Sequence, residues 1–250
     1  MYTLRKSLGQ HFLKDENISR KIVGTLREHP FTHLLEVGPG AGALTKYILE
    51  IGNIEFRAVE LDEEKVAYLL RTWPELEGKV LQGSILDIER PFPGKFTVIG
   101  NFPYNISTQI LFRMIEWKDG IESMTGMFQK EVAQRAAAGE GSKIYGVLSV
   151  LVQAFFTVEY LFEVGEQCFQ PPPKVKSAVI RLVPRDAPAK FKDEKSFFLL
   201  VKTAFNQRRK TLRNAVKPLF ETGILQDPLF GKRAEQLSVN DFAELTWEMR

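Results

Sequence analysis

The chain has 250 residues, of which 44% are hydrophobic and 26% charged, so it can bury a packed core, and wholesale disorder is excluded. No apolar run reaches the roughly 18 residues of a transmembrane helix, and Met1–Phe12 lacks the apolar region of a signal peptide. The single cysteine, Cys168, excludes a disulfide framework and a cysteine-built zinc site. We therefore expect a cytoplasmic protein. The formal net charge of +3 is too small to indicate a nucleic-acid partner by itself.

Segments typical of strands and helices alternate through the first two thirds of the chain. The first is a helix whose apolar stripe begins at Ile18, with Asp15 as its expected N-cap. After it we predict strands at residues 33–37, 56–60, 79–82, 96–100, 124–128, 156–163 and 177–183. Between them we predict helices at residues 44–51, 63–71, 107–115, 129–138 and 144–154. Beyond residue 189 the pattern is helical only, with Ser238 as a capping signal.

Repeated strand–helix units predict an α/β fold, a mainly parallel, doubly wound sheet with helices on both faces. Residues 184–189 are typical of a linker. We therefore predict a large domain over residues 1–186 and a small all-helical C-terminal domain over residues 187–250.

A glycine-rich turn follows the first predicted strand, in the segment Glu36-Val37-Gly38-Pro39-Gly40-Ala41-Gly42. Glycines there let the backbone approach a ligand closely, and the N-terminus of the next helix offers free N–H groups. Glu60 ends the next strand, where a carboxylate can accept both ribose hydroxyls. The pair indicates a nucleoside-containing cofactor without saying which one, and a dinucleotide also fits the loose pattern. The alternative is a glycine-rich turn without a ligand.

The segment Asn101-Phe102-Pro103-Tyr104 ends another predicted strand, at the sheet edge where ligands bind in such folds. An adenine amino group is a poor nucleophile because its lone pair is delocalised into the ring. The side-chain carbonyl of Asn101 and the backbone carbonyl of Phe102 can accept its hydrogens, which favours a tetrahedral nitrogen and positions it. Pro103 restricts the backbone of Phe102, and Tyr104 offers a ring for base stacking. The alternative is a turn that merely ends the strand.

Seven segments resemble, in order and over nearly the whole chain, the KsgA-type ribosomal RNA adenine dimethyltransferases. The matching segments are Leu8-Gly9-Gln10-His11-Phe12-Leu13, Glu36-Val37-Gly38-Pro39-Gly40, Val59-Glu60-Leu61-Asp62, Gly100-Asn101-Phe102-Pro103-Tyr104-Asn105-Ile106-Ser107, Gln129-Lys130-Glu131-Val132, Phe169-Gln170-Pro171-Pro172-Pro173-Lys174-Val175 and Phe205-Asn206-Gln207-Arg208-Arg209-Lys210-Thr211-Leu212-Arg213-Asn214. The resemblance implies a Rossmann-like methyltransferase that uses S-adenosylmethionine (SAM), with a small helical domain after the sheet.

The resemblance also implies the residues that hold SAM. They are His11, Leu13, Gly38, Gly40, Glu60, Ser84 and Asn101. His11 and Leu13 would lie against the methionine part, and Glu60 would hold the ribose. Two positions depart from the family pattern. The family more often has asparagine in place of His11, and a histidine can also donate a hydrogen bond. The family usually has an aspartate in place of Ser84, against the adenine of SAM, and the serine loses charge and reach, so the affinity for SAM is in question.

RNA contacts are expected from three stretches that hold no acid, residues 1–14, 170–185 and 202–217. Phe169, fixed by the stiff triproline segment after it, is expected to face Tyr104 and sandwich a flipped-out adenine, the alternative being a phenylalanine in the core. Contacts to RNA phosphates are predicted for Lys174, Arg208, Arg209 and Lys210. The alternative for these cations is a solvated helix face.

The resemblance implies dimethylation of the N6 amino groups of two adjacent adenosines in the 3′-terminal hairpin loop of small-subunit (16S) ribosomal RNA, during 30S biogenesis. We expect direct displacement without a dedicated general base, no metal, a precursor of the 30S subunit as partner, and a monomer. Three alternatives stay open: a nicotinamide dehydrogenase, a large-subunit ribosomal RNA methyltransferase of the resistance type, and a ribosome-assembly factor whose main role is RNA binding.

Overall fold

The computed structural model describes residues 11–250, which form two compact units. The first comprises the described residues up to Ala133 together with Glu159–Pro184, and the second comprises Gln134–Val158 and Arg185–Arg250. Residues 8–10 of the first motif, and most of the first basic stretch, lie outside the described residues.

The second unit contains a segment that the predicted division assigned to the first domain. Within this unit, Arg185 N donates to the carbonyl of Phe155 at 2.9 Å, and Ala189 N donates to that of Ala154 at 3.2 Å. The segment 134–158 is therefore grouped with the C-terminal residues by backbone contacts between distant parts of the chain. A division at residue 186 follows chain order and misses such contacts.

Nine strands are present in the described part of the chain. They are β1 (Phe12–Leu13), β2 (His33–Val37), β3 (Glu55–Glu60), β4 (Val80–Gln82), β5 (Phe96–Asn101), β6 (Ile121–Gln129), β7 (Phe156–Val164), β8 (Phe169–Gln170) and β9 (Ser177–Pro184). All seven predicted strands are confirmed, with shifts of no more than a few residues at their ends. The two-residue strands β1 and β8 were not predicted, because two residues carry no periodic signal.

Seven strands form one sheet in the order β4-β3-β2-β5-β6-β9-β7. The pairs from β4 through to β6 are parallel, and β6 pairs with β9 in the antiparallel sense. The chain runs outward from β2 to β4 and then returns to place β5 on the other side of β2. This reversal is a topological switch point, where the carboxyl ends of β2 and β5 leave a crevice. The predicted doubly wound, mainly parallel sheet is confirmed.

The helices cover the sheet and build the second unit. The α-helices among the described residues are α1 (Glu16–Gly24), α2 (Thr45–Ile48), α3 (Glu63–Thr72), α4 (Ser107–Glu116), α5 (Lys130–Ala137), α6 (Val147–Gln153), α7 (Glu194–Asn206), α8 (Leu212–Ala215) and α9 (Val239–Leu245). The side chain of Asp15 caps α1 by accepting from the backbone N–H groups of Asn17 and Ile18, and Ser238 caps α9 through the N–H of Asp241. Both predicted caps are confirmed.

The core of the first unit lies around the central strands. The apolar side chains of Leu34, Leu35, Val98 and Ile99 are fully buried, as expected for parallel strands covered on both faces. A separate two-stranded ribbon pairs Leu13 of β1 with Phe169 of β8. It places the segment of His11 next to the segment that follows Gln170.

The second basic stretch is less available to a partner than its charge suggests. Arg181 is only 3% exposed, and its guanidinium pairs with Glu28 at 2.7 Å and Glu159 at 3.0 Å. It also donates to the carbonyl of Thr25 at 3.0 Å. Arg181 is therefore an internal ion-pair partner, and counting it toward an RNA-binding surface was wrong.

The second unit is packed by aromatic side chains. Phe191 and Phe197 stack with ring centroids 4.8 Å apart, and Phe205 lies 5.8 Å from Phe242. Such pairs contribute beyond their buried area. Within residues 11–250, no helix has the length and apolar character required to cross a membrane.

Candidate active site

The glycine-rich turn leaves the carboxyl end of β2 in left-handed backbone conformations. Gly38 and Gly40 have φ values of 67° and 59°, which side-chain-bearing residues rarely adopt. The N–H of Gly38 donates to the carbonyl of Val59 at 2.9 Å, so the turn is tied to the neighbouring strand. The result is a turn with no side chain at Gly38 or Gly40, at the edge of the crevice.

Glu60, at the end of β3, holds this turn from the other side. Its side chain is 6% exposed, and one carboxylate oxygen accepts from the N–H of Gly40 at 3.0 Å. The other oxygen accepts from the N–H of Asp62 at 3.0 Å. Each carboxylate oxygen has a second lone pair, so Glu60 can position the turn and still accept hydrogen bonds from a ligand's hydroxyl groups.

A second acid, Glu36, lies beneath the turn. It is 1% exposed and accepts a hydrogen bond from the Thr45 hydroxyl at 2.7 Å. Burial raises the pKa of Glu36 to about 8, the hydrogen bond from Thr45 opposes this, and the charge of Glu60 adds to it. Glu36 is thus mostly protonated at neutral pH. No sequence pattern assigned it a role, since a buried acid next to a glycine turn cannot be told from an exposed one by sequence.

Asn101 ends β5 with its amide group fixed by the first described residue. The Nδ2 of Asn101 donates to the backbone carbonyl of His11 at 3.4 Å. Because the nitrogen of the amide is engaged there, its oxygen is the atom left to accept from a ligand. The carbonyl of Phe102 accepts no hydrogen bond from the described residues. Both acceptors that the sequence predicted are therefore available.

Phe102 anchors the loop through its ring. The ring is 1% exposed and occupies space over β6, where a Cβ atom on Gly126 would lie 2.0 Å from its edge. The backbone N–H of Phe102 also donates to the carbonyl of Met127 at 3.1 Å. A glycine at position 126 is needed for this close approach. The ring is thus structural, and only the backbone carbonyl of Phe102 is free to act on a ligand.

Tyr104 is held between two partners. Its hydroxyl hydrogen-bonds the buried hydroxyl of Ser177, and its ring centroid lies 5.4 Å from that of His11. Burial raises the pKa of Tyr104 above its ordinary value, so the hydroxyl stays protonated. Ser177 was not predicted, because a serine at the start of a strand carries no distinguishing signal.

These groups line one cleft of about 370 Å³. Its lining includes His11, Phe12, Leu13, Glu36, Gly38, Pro39, Gly40, Ala41, Gly42, Lys46, Glu60, Lys65, Tyr68, Trp73, Asn101, Phe102, Pro103 and Tyr104. A further cavity of about 140 Å³ shares Gly38, Glu60 and Pro103 with it. The predicted residues of both motifs therefore converge on one site at the switch point.

The further cavity contains Ser84. Its hydroxyl oxygen accepts from the N–H of Leu86 at 3.1 Å and retains a proton to donate. Leu61 lines the same cavity and is 57% exposed. An exposed leucine next to a buried acid is suited to cover a flat aromatic ring. Its position after Glu60 was visible in the sequence, but its exposure was not.

Comparison with known proteins agrees with this geometry. A family model described as ribosomal RNA adenine dimethylase matches residues 1–249. The chain belongs to this dimethylase family. A protein of Parabacteroides distasonis named ribosomal RNA small subunit methyltransferase A is 52% identical over 246 residues, covering 97% of this chain and 92% of that protein. A protein of the same name from Cytophaga hutchinsonii is 50% identical, covering 97% and 95%.

Solved structures show the same fold. A dimethyladenosine transferase from Plasmodium falciparum has a TM-score of 0.80 at 24% identity, covering 95% of this chain and 97% of that one. The 23S ribosomal RNA methyltransferase ErmE has a TM-score of 0.72 at 23% identity, covering 95% and 99%. The predicted Rossmann-like methyltransferase architecture, continued by C-terminal helices, is confirmed.

Phe169 does not lie where the triproline segment was expected to hold it. Its side chain is 0% exposed and belongs to the apolar core, while β8 pairs it with Leu13 of β1. The prediction that Phe169 forms an exposed wall opposite Tyr104 was wrong for this structure. The alternative of a core phenylalanine is the one observed, because a proline-rich segment fixes the backbone without fixing which side faces solvent.

The predicted phosphate-binding cations differ in their availability. In the second unit, Arg208 pairs with Glu235 at 2.8 Å and donates to the carbonyl of Ser142 at 3.4 Å. Its guanidinium is therefore engaged within the unit. Arg209 and Lys210, in the same unit, are exposed, and so is Lys174 in the first unit. The described residues offer these three no ion-pair partner.

Replacing Glu36 by glutamine is expected to flatten the pH dependence of stability. The folded state binds one more proton than the unfolded chain between the ordinary pKa of 4.5 and the raised pKa of about 8. The stability contributed by the protonated carboxyl is full below about pH 4.5 and is lost as the pH rises to about 8. Urea titrations from pH 5 to 9 should show the free energy of unfolding falling more steeply in the wild type than in Glu36→Gln. Glu50→Gln, at an exposed position, is the control, and equal slopes for wild type and Glu36→Gln would contradict the assignment.

Proposed function

We propose that this chain dimethylates the N6 amino groups of two adjacent adenosines in the 3′-terminal hairpin loop of small-subunit (16S) ribosomal RNA, using SAM as methyl donor. The observation that carries the proposal is the amide of Asn101, which lines the cleft beside Phe102 and has its nitrogen engaged by His11, so that its oxygen is left to accept. Relatives at 50–52% identity that bear the name ribosomal RNA small subunit methyltransferase A support the same substrate.

The cleft has the chemistry to hold SAM. Glu60 would accept from the ribose hydroxyls, and the bare backbone at Gly38 and Gly40 would allow close approach. His11 and Leu13 line the cleft where the methionine part would lie. Ser84 and the exposed Leu61 would meet the adenine. When bound, SAM supplies a methyl group that its sulfonium charge already makes electrophilic.

The chain's own contribution is to position the target amino group. The Asn101 oxygen and the Phe102 carbonyl accept its two hydrogens and so favour the geometry in which the nitrogen lone pair leaves the ring plane. The ring of Tyr104, held by Ser177 and His11, offers a surface for the base. The amide of Asn101 is already held by His11 before a ligand binds, which lowers the cost of ordering it.

The alternative functions have weaker support. The acceptor pair of Asn101 and Phe102 would have no role in a nicotinamide dehydrogenase. The dimethylase family match over residues 1–249 also disfavours that function. For a large-subunit enzyme, the likeness to ErmE at 23% identity shows the fold alone, whereas the relatives named as small-subunit enzymes are 50–52% identical. We further propose that the protein acts in the cytoplasm as a monomer on a precursor of the 30S subunit.

Asn101→Ala is expected to abolish methylation while the fold persists. The substitution removes one of the two acceptors, and removing a single hydrogen-bonding group of this kind costs about 10²–10³ in rate. Transfer of radiolabel from SAM to undermethylated small subunits measures the effect, with circular dichroism as the check on folding. Gln109→Ala, on an exposed position of α4, is the matched control.

Near-wild-type turnover by Asn101→Ala would overturn the assignment. The same variant separates an enzyme from an assembly factor. If Asn101→Ala still restores 30S assembly in cells that lack the native protein, RNA binding is the main role and methylation is secondary.

Ser84→Asp is expected to bind SAM more tightly than the wild type. A carboxylate can accept from the N–H of Leu86, as the serine does now, and can accept from the adenine amino group as an ion. A charge-assisted hydrogen bond in place of a neutral one amounts to about tenfold in Kd. Isothermal titration calorimetry with SAM measures the change, and Asp87→Asn, at an exposed position three residues on, is the control. Unchanged or weaker affinity would show that Ser84 does not meet the adenine.

Arg209→Ala and Lys210→Ala are expected to weaken RNA binding and to reduce its salt dependence. Removing one cation that binds a phosphate should lower the slope of log K against log salt by about 1. Lys195→Ala is the control, since Lys195 lies at the start of α7, about 17 Å from the helix end that leads to Arg209. Filter binding to a 16S RNA fragment at several salt concentrations measures the slopes. A slope unchanged by either substitution would remove that residue from the RNA-binding surface.

A further inference from the structure

The loop that follows β4 lines the further cavity, in which the adenine of SAM would lie. Ser84 and Leu86 of this loop line that cavity together with Ile106, which precedes α4. The loop, residues 84–88, follows a strand of three residues at the edge of the sheet. An edge strand is paired on one side alone, so the loop after it needs a further contact to stay in one place.

The shape of the loop is set by its own backbone. The carbonyl oxygen of Ser84 accepts from the N–H groups of Asp87 at 3.0 Å and Ile88 at 3.1 Å. The N–H of Gly83 donates to the carbonyl of Glu60 at 2.9 Å and so attaches the start of the loop to β3. These bonds leave the far end of the loop to be held from elsewhere.

The guanidinium of Arg113, from α4, holds that end. Its Nε donates to the carbonyl of Ile85 at 3.1 Å, and its Nη2 donates to the carbonyl of Ile88 at 2.7 Å. The side chain is 17% exposed, so water competes little for these charge-assisted bonds. Because two donors of one planar group bind two carbonyls of the same turn, both the position and the orientation of the loop are fixed.

The guanidinium is itself held by its own helix. Its Nη1 pairs with Glu116 at 2.7 Å, and the group lies 4.9 Å from the centroid of the Trp117 ring. Trp117 is buried, and its ring lies 5.8 Å from that of Phe96 in β5. A guanidinium held in this way loses little freedom when it binds the loop. Arg113 therefore connects the loop to the centre of the sheet.

The start of the same helix is attached to the acceptor motif. The hydroxyl of Ser107 donates to the carbonyl of Pro103 at 3.2 Å. Pro103 lines both the cleft and the further cavity. Ser107 and Arg113 are about 9 Å apart along the helix axis. One helix thus contacts the motif that would bind the target amino group and the loop that would meet the adenine of SAM.

We propose that Arg113 is a positioning residue that sets the affinity of the site for SAM, by holding residues 84–88 against the adenine of the cofactor. This rests on the proposed function, which places the adenine beside Ser84. Arg113 acts on binding and not on methyl transfer, because the amide of Asn101 is held separately by His11.

Arg113→Lys is expected to bind SAM about tenfold more weakly than the wild type. Lysine keeps the charge, but its single nitrogen cannot replace two donors that bind two carbonyls. Isothermal titration calorimetry measures the dissociation constant. Glu116→Gln is the matched control, since it removes the partner of Nη1 and leaves both bonds to the loop, and it should bind SAM as the wild type does. Equal affinity of wild type and Arg113→Lys would overturn the proposal.

A double-mutant cycle shows whether Arg113 acts through the loop. Ser84→Ala should weaken SAM binding about fivefold in the wild type and should have little further effect in Arg113→Lys, where the loop is no longer held. A merely stabilising role would let the two effects multiply. Multiplying effects, or no effect of Ser84→Ala in the wild type, would contradict the proposal.

Steady-state kinetics separate positioning of the cofactor from catalysis. In Arg113→Lys the KM for SAM should rise about tenfold, while kcat at saturating SAM should be unchanged. A lower kcat with an unchanged KM would overturn the assignment.

Hydrogen exchange distinguishes a local effect from a general loss of structure. In Arg113→Lys the amides of Asp87 and Ile88 should exchange faster, while those of Leu34 and Leu35 in β2 should be unchanged. Faster exchange in both regions would overturn the local role. A wild type that binds SAM but methylates no adenosine would remove the proposed function alone, and the calorimetry would still decide the role of Arg113.

Discussion

The pairing of β2 between β3 and β5 is the constraint on which the rest of the site depends. Because all three strands are parallel, their carboxyl ends meet at one edge, and the glycine turn, Glu60 and Asn101 meet there although they lie far apart in the chain. The buried carboxylate of Glu60 then fixes the turn through Gly40. Without this pairing, each motif would still be present in the sequence, but the motifs would not lie next to each other. The site therefore depends first on the order of the strands in the sheet and then on its individual residues.

The two acids of the cleft, Glu36 and Glu60, are held by burial and hydrogen bonds. Glu36 is held neutral by its surroundings, while Glu60 borders the cleft and binds backbone N–H groups. A neutral Glu36 beside Glu60 lets the cleft receive a positively charged cofactor without assembling two unpaired negative charges. The same arrangement leaves neutral acceptors, a side-chain amide and a backbone carbonyl, at the point where the target amino group would bind. Under the proposed function, the site would therefore position its substrate with dipoles.

The sequence predicted the architecture and the convergence of the two motifs, because strand–helix alternation and strand-end residues are local signals. It did not predict the states of individual side chains, which depend on distant contacts. Arg181 and Arg208 were counted as free cations and are ion-paired with Glu28 and Glu235. Phe169 was placed at an open site and is in the core, since burial of an aromatic ring is decided by the strand it pairs with. Ser177 and Leu61 were not predicted as site residues. Ser177 contacts Tyr104, which lies 73 residues away in the chain, and Leu61 is distinguished by its exposure. Neither property follows from the local sequence.

The ribbon of β1 and β8 has a consequence for the order in which the site can form. It joins Leu13 to Phe169, and the ring of His11 reaches the carbonyl of Pro171 across 160 residues. The ribbon that holds Phe12 and Leu13 in the cleft lining can therefore form only when both ends of this long loop meet, and loop closure over such a distance carries an entropic cost. During synthesis the glycine turn and the Asn101 loop emerge well before their closing partner. A chain that ends before Pro171 therefore holds the glycine turn and the Asn101 loop without the partner that holds the ring of His11.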